Sequence, residues 1–127
     1  MQLFLFIVLG GALGTAARYL VGVSVQAAFG PSFPVGTMTV NLVGSFLVSM
    51  FMVLGAEKNL ISTPVRMVLC TGVIGGFTTY SSFNFETLRL WQQGSIGLGL
   101  LNVAVTVIGC LVTGALGLAT GKLLGGA

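Results

Sequence analysis

Residues 72 to 85 read GVIGGFTTYSSFNF. The stretch lies inside an apolar segment. Even so, it carries glycine at Gly72, Gly75 and Gly76, hydroxyls at Thr78, Thr79, Ser81 and Ser82, a tyrosine and an asparagine among its phenylalanines. Such a composition is poor material for an uninterrupted membrane helix. Gly75 and Gly76 relax the backbone, and the paired threonines and serines can satisfy backbone groups that a helix break would free. The expectation is a broken helix lining a polar site.

The surroundings fix the solvent of that helix. The 127-residue chain is 55% hydrophobic and 6% charged, with a mean hydropathy of +1.08, values that fit a lipid-embedded chain and not a water-soluble domain. Its charges are confined to Arg18, Glu57, Lys58, Arg66, Glu86, Arg89 and Lys122, which leaves charge-free runs of 17, 38, 19 and 32 residues. A helix crossing the ~30 Å hydrocarbon core needs about 20 residues. The 38-residue run is too long for one span, and Gly30-Pro31-Ser32-Phe33-Pro34 breaks it near its start. One all-α membrane domain of four spans follows, at roughly 3 to 24, 35 to 55, 64 to 89 and 96 to 122. The first apolar run is expected to be a packing helix and not a cleaved leader, because no Lys or Arg precedes it.

Four spans put both termini and the 56 to 63 loop on one side. That side carries Lys58, Arg66 and Lys122, against Arg18 and Arg89 toward the other. A near balance of basic residues fails to fix orientation, so insertion both ways and an antiparallel homodimer are expected. The chain has no histidine and no aspartate, which excludes hydrolytic triads and the commonest metal ligand; it is expected not to be an enzyme. Cys70 and Cys110 fall inside spans and read as small packing residues.

The helix faces are more specific. Gly10, Gly11 and Gly14 give the first span a close-packing face, with Arg18 one turn from its end, placed either to reach the headgroups or to draw anions into a vestibule. Thr37, Asn41, Ser45 and Ser49 recur every four residues on the second span as one polar stripe. An amide at mid-membrane needs a partner, a backbone group or a permeating species. Tyr80 and Phe83, three apart, can share a face, and rings turned edge-on present positive edges that hold an anion without a fixed charge. The fourth span carries Thr106, Cys110 and Gly114 in one row, with Gly109, Thr113, Gly117 and Gly121 one position round; both rows suit close packing.

GGALGTAARY in the first span, GTMTVNLVGSF in the second and TGVIGGFTTYSSFNFET in the third together resemble the small fluoride channels of the Fluc (CrcB) family. The resemblance implies passive, selective fluoride export from the cytoplasm across the cell inner membrane, which lowers the toxicity of fluoride. It implies an antiparallel dual-topology homodimer with two pores and a central structural sodium ion, and no organic cofactor. The expected partners are a second copy, fluoride and the lipid bilayer, with no nucleic acid. Carried over by motif, the backbone carbonyls of Gly75 and Thr78 would bind sodium, Asn41 would donate to fluoride, and Tyr80 and Phe83 would line its path. Thr37, Ser81 and Asn84 would extend the polar track, with Arg18 near a vestibule.

The chain departs from the family pattern at three places. Tyr80 stands where phenylalanine is usual, Asn84 replaces a hydroxyl of the third-span track, and the fourth-span hydroxyl positions hold Cys110 and Gly114. Cys110 keeps its place in the expected path, and Thr106 and Thr113 can compensate if their faces turn inward. A small proton-coupled multidrug exporter is the competing reading, but it needs a carboxylate deep in the membrane. Glu57 falls in a loop and Glu86 near a span end, in an interhelical or vestibule position. A packing protein would leave the polar stripe and the broken span unexplained.

Overall fold

The computed structural model describes residues 1–126. Every regular element among them is helical. Helix α1 spans Gln2–Phe29, and α2 spans Val35–Met52 and runs on through one π-helical turn, Val53–Glu57. The third span is in two parts. Its first half, α3, is built from Thr63–Met67, a π-helical Val68–Ile74 and Gly75–Phe77; its second half, α4, is Tyr80–Gln92. Helix α5 spans Ile96–Leu124. Apart from the divided third span, α1, α2 with its π turn, and α5 are each long and apolar enough to cross a membrane.

The ends follow local chemistry. Nothing in α1 stops the helix before Gly30, whose φ of 83° only glycine adopts without strain, so α1 runs five residues beyond the expected boundary. The Gln26 side chain holds the loop that follows. It donates to the carbonyl of Phe33 at 2.8 Å and to that of Gly30, and accepts from the Gly36 N–H at 3.1 Å. Helix α4 continues to Gln92, and Gly94 at φ 81° makes the turn into α5.

Packing depends on small residues, as lipid offers no hydrophobic drive between helices. Helix α1 lies on α3, and α2 on α5. A side chain at Gly14 would run into the Val73 carbonyl, and one at Gly76 into that of Gly11, so α1 and α3 meet backbone to backbone. The two small-residue rows of α5 serve different ends. At Gly117 a side chain would strike the Phe46 carbonyl, and the Thr113 hydroxyl donates to the Leu42 carbonyl at 2.9 Å, so this row packs on α2. The row of Thr106, Cys110 and Gly114 also lines a cavity, while an added side chain at Gly114 would press on Ser49 of α2. Core apolar burial is slight, limited to Met38, Val40, Val53, Ile74, Phe83 and Leu90, while most large apolar side chains of α1 and α5 point outward as lipid-facing residues do.

The third span breaks, but not at the glycine pair. Gly75 is helical at φ −58°, ψ −39°, whereas Thr78 (φ −90°, ψ 158°) and Thr79 (φ −153°, ψ 110°) are extended. Gly76 is needed for approach to α1, and the chain opens one residue past Phe77.

Gly14→Val or Gly76→Val should force α1 from α3 and cost about 1–3 kcal/mol, read as a lower thermal midpoint by circular dichroism in detergent. Gly97→Ala meets open space and should be neutral or stabilising by up to about 1 kcal/mol. Equal midpoints for all three would contradict this packing.

Candidate functional site

A break in a membrane helix exposes N–H and C=O groups that water cannot reach, and each must find a partner within the protein. Asn41 meets that need directly. Its Nδ2 donates to the Thr79 carbonyl at 3.0 Å, and the Thr79 N–H donates to its Oδ1 at 2.8 Å. The side-chain amide thus pairs with the main chain as a second peptide would. Asn41 and Thr79 are both buried. Because the two bonds run in opposite directions, they fix which end of the amide is nitrogen. One Nδ2–H remains uncommitted.

Thr79 also begins α4. Its hydroxyl accepts from the Ser82 N–H at 3.2 Å, the bond of an N-cap threonine, and donates to the Ser82 hydroxyl at 3.1 Å. On the other side of the break, the Arg18 Nε donates to the Gly76 carbonyl at 2.9 Å. That carbonyl has lost its helical donor at Tyr80, and a cation at the C-terminal end of a half-helix is electrostatically favoured. Arg18 therefore turns inward and not to the headgroups.

The carbonyls of Gly75 and Thr78 are freed by the same logic. The helical donor for Gly75 would be the Thr79 N–H, which is taken by Asn41; that for Thr78 would be the Ser82 N–H, which is taken by Thr79. Both residues line one cavity of about 760 Å³, with Asn41, Ser45, Ser49, Tyr80 and Phe83. Tyr80 and Phe83 meet edge to face, with ring centroids 5.7 Å apart and planes at 70°. Cys110, Thr106 and Gly114 complete the wall from α5.

A second cavity of about 420 Å³ lies on the other side of the clasp, lined by Arg18, Gln26, Thr37, Thr79, Ser82 and Glu86 among others. Thr79 lines this cavity and Asn41 the larger one, so the clasp lies between the two. The stripe of α2 is divided at this level: Thr37 faces the smaller space, Ser45 and Ser49 the larger. The Thr37 hydroxyl donates to Glu86 Oε1 at 2.7 Å, and Glu86 Oε2 is enclosed without a hydrogen-bond partner. Glu86 is thus interhelical and lines the smaller cavity.

Not every expected residue joins these walls. Ser81 and Asn84 line neither cavity and lie on the exposed face of α4, beside Tyr80, which is 76% exposed in the single chain. Other polar groups escape sequence reading. Gln26 gave no periodic signal. Asn102 and Thr87 are buried and bonded to one another at 2.9 Å across α5 and α4; an amide alone in a leucine-rich run was the sole sign.

The comparisons with known proteins agree with one another. Residues 5–118 match the model of the family described as CrcB-like protein, Camphor Resistance (CrcB). A protein of Sorangium cellulosum named fluoride-specific ion channel FluC is 47% identical over 98% of each chain. Proteins of the same name from Anaeromyxobacter sp. and Agrobacterium fabrum are 47% identical (88% of this chain, 89% of the relative) and 42% identical (91% and 92%). Family model and relatives extend over the α1 small-residue face, the α2 stripe and the broken third span, and the chain belongs to the CrcB-like family.

Proposed function

We propose that this chain is a fluoride-selective passive channel of a multi-pass inner membrane protein, moving fluoride out of the cytoplasm down its electrochemical gradient and lowering its toxicity. The observation that carries the reading is the Asn41–Thr79 clasp between two cavities, in a chain whose relatives are named fluoride-specific channels. Fluoride is small and strongly hydrated. A narrow path must replace its water with donors at each step while binding weakly enough to release it.

The residues supply such donors without a resident positive charge in the larger cavity. The remaining Asn41 N–H is the one amide donor held at the level of the break. Phe83 and Tyr80 line the wall beyond it, where ring edges can meet an anion, with the thiol of Cys110 on the facing wall. On the other side, Arg18 favours anions in the smaller cavity, where the Thr37 hydroxyl is bonded to Glu86. Ser81 and Asn84 join the track when the exposed face of α4 is covered. Glu57 is exposed at the end of α2 and Glu86 lies on the vestibule wall, which leaves the proton-coupled exporter reading without its deep carboxylate.

The cover is a second copy, inserted the opposite way. Three basic residues against two leave orientation unfixed, and the freed carbonyls and polar side chains on the open wall need protein against them in lipid. A sodium ion fits the same assembly. The freed carbonyls of Gly75 and Thr78 are hard oxygen ligands, two from each copy, and no cluster of His, Cys, Asp or Glu exists among the described residues to hold a softer metal. When bound, sodium supplies positive charge that balances the carbonyl dipoles at the break.

Purified protein in liposomes should release fluoride under a potassium gradient with valinomycin, followed by a fluoride electrode. Flux no greater than from empty liposomes would overturn the channel, and chloride flux of equal size would overturn its selectivity. Native mass spectrometry from mild detergent should give the mass of two chains plus one sodium. A monomer mass would count against the dimer, and a sodium-free dimer against the cation site.

A further inference from the structure

Two polar side chains unused by the path, Asn102 and Thr87, lie behind it, joined to Thr106 on the cavity wall. Asn102 is 1% exposed, Thr87 4% and Thr106 5%. They form one chain of hydrogen bonds. The Asn102 Nδ2 donates to the Thr87 hydroxyl at 2.9 Å, which donates to the Phe83 carbonyl at 2.9 Å, while the Thr106 hydroxyl donates to Asn102 Oδ1 at 3.4 Å. The chain starts at the cavity wall, crosses from α5 to α4 and ends on the residue whose ring enters that cavity.

Stability does not account for it. Burying an amide and two hydroxyls is costly, and hydrogen bonds between membrane helices return little. Leucine and valine of similar volume would fill the same space. The bonds do fix a rotation: Thr87 is one helical turn beyond Phe83, so tying its hydroxyl to Asn102 sets the roll of α4 against α5. Phe83 is 6% exposed, lines the cavity and meets Tyr80 with planes at 70°, and a small roll of α4 would change which part of the ring, edge or face, the cavity meets. A face repels an anion where an edge attracts it.

We propose that Asn102 and Thr87 are positioning residues, which hold the Phe83 ring edge toward the permeating ion. This rests on Phe83 lining the path. Thr87→Val keeps the shape and loses the hydroxyl; it should lower fluoride efflux per folded protein roughly tenfold, and Thr87→Ser should keep the parental rate. Asn102→Leu should match Thr87→Val and serves if that variant does not fold. In a Phe83→Leu background, Thr87→Val or Asn102→Leu should cost nothing further. Parental efflux in both single variants, or a loss that multiplies with that of Phe83→Leu, would overturn the positioning role. Phe83→Leu conducting at the parental rate would instead overturn the aromatic path itself, together with the inference built on it.

Discussion

Interrupting a helix inside a lipid bilayer leaves backbone groups with nowhere to go, and this constraint organises the molecule. Each buried, unpaired N–H or C=O costs about 1–3 kcal/mol. The chain satisfies three of these groups with side chains from different helices. Asn41 of α2 pairs with Thr79 on both its N–H and its C=O, and Arg18 of α1 reaches the Gly76 carbonyl. Neither could reach if the helices stood at ordinary separation. The close contacts at Gly14 and Gly76 bring α1 onto α3, and Gly44, where a side chain would strike the Thr78 methyl, brings α2 onto the break. The small-residue faces are therefore the means by which the break is held.

What the clasp leaves over is as consequential as what it satisfies. Two carbonyls, of Gly75 and Thr78, keep lone pairs with no helical donor; one amide hydrogen of Asn41 stays free. These are opposite in character, acceptors suited to a cation and a donor suited to an anion. They lie on one cavity wall, the acceptors on the broken third span and the donor on the α2 side chain that bridges it. The aromatic pair continues the donor side, and its geometry is set in turn by the buried polar chain from Asn102.

Much of this was legible in the residues. Charge-free runs and the Pro31–Pro34 interruption set the spans, and the composition of residues 72 to 85 betrayed a break. The four-residue recurrence from Thr37 to Ser49 marked a face that would not meet lipid. The position of the break was not legible, since it depends on where Asn41 sits in space and not on the flexibility of Gly75 and Gly76. Nor could periodicity separate the two rows of α5, which differ only in which neighbour they meet. Arg18 was ambiguous because its target, a carbonyl freed by the break, is 58 positions away in sequence. Ser81 and Asn84 share a polar neighbourhood with Thr79 in sequence, but the turn of α4 carries them to its outer face. Thr87 and Asn102 stand fifteen positions apart on different helices, and no spacing rule connects them.

The central claim is that one asparagine both closes the break and presents the donor that an anion meets there. Asn41→Asp tests it most directly, with fluoride efflux measured in liposomes and folding checked by size exclusion. The carboxylate can still accept from Thr79 N–H but cannot donate to its carbonyl, and it sets a negative charge in the path. Efflux should fall at least about tenfold in protein that remains folded. Folded Asn41→Asp channels that release fluoride at the parental rate would contradict it.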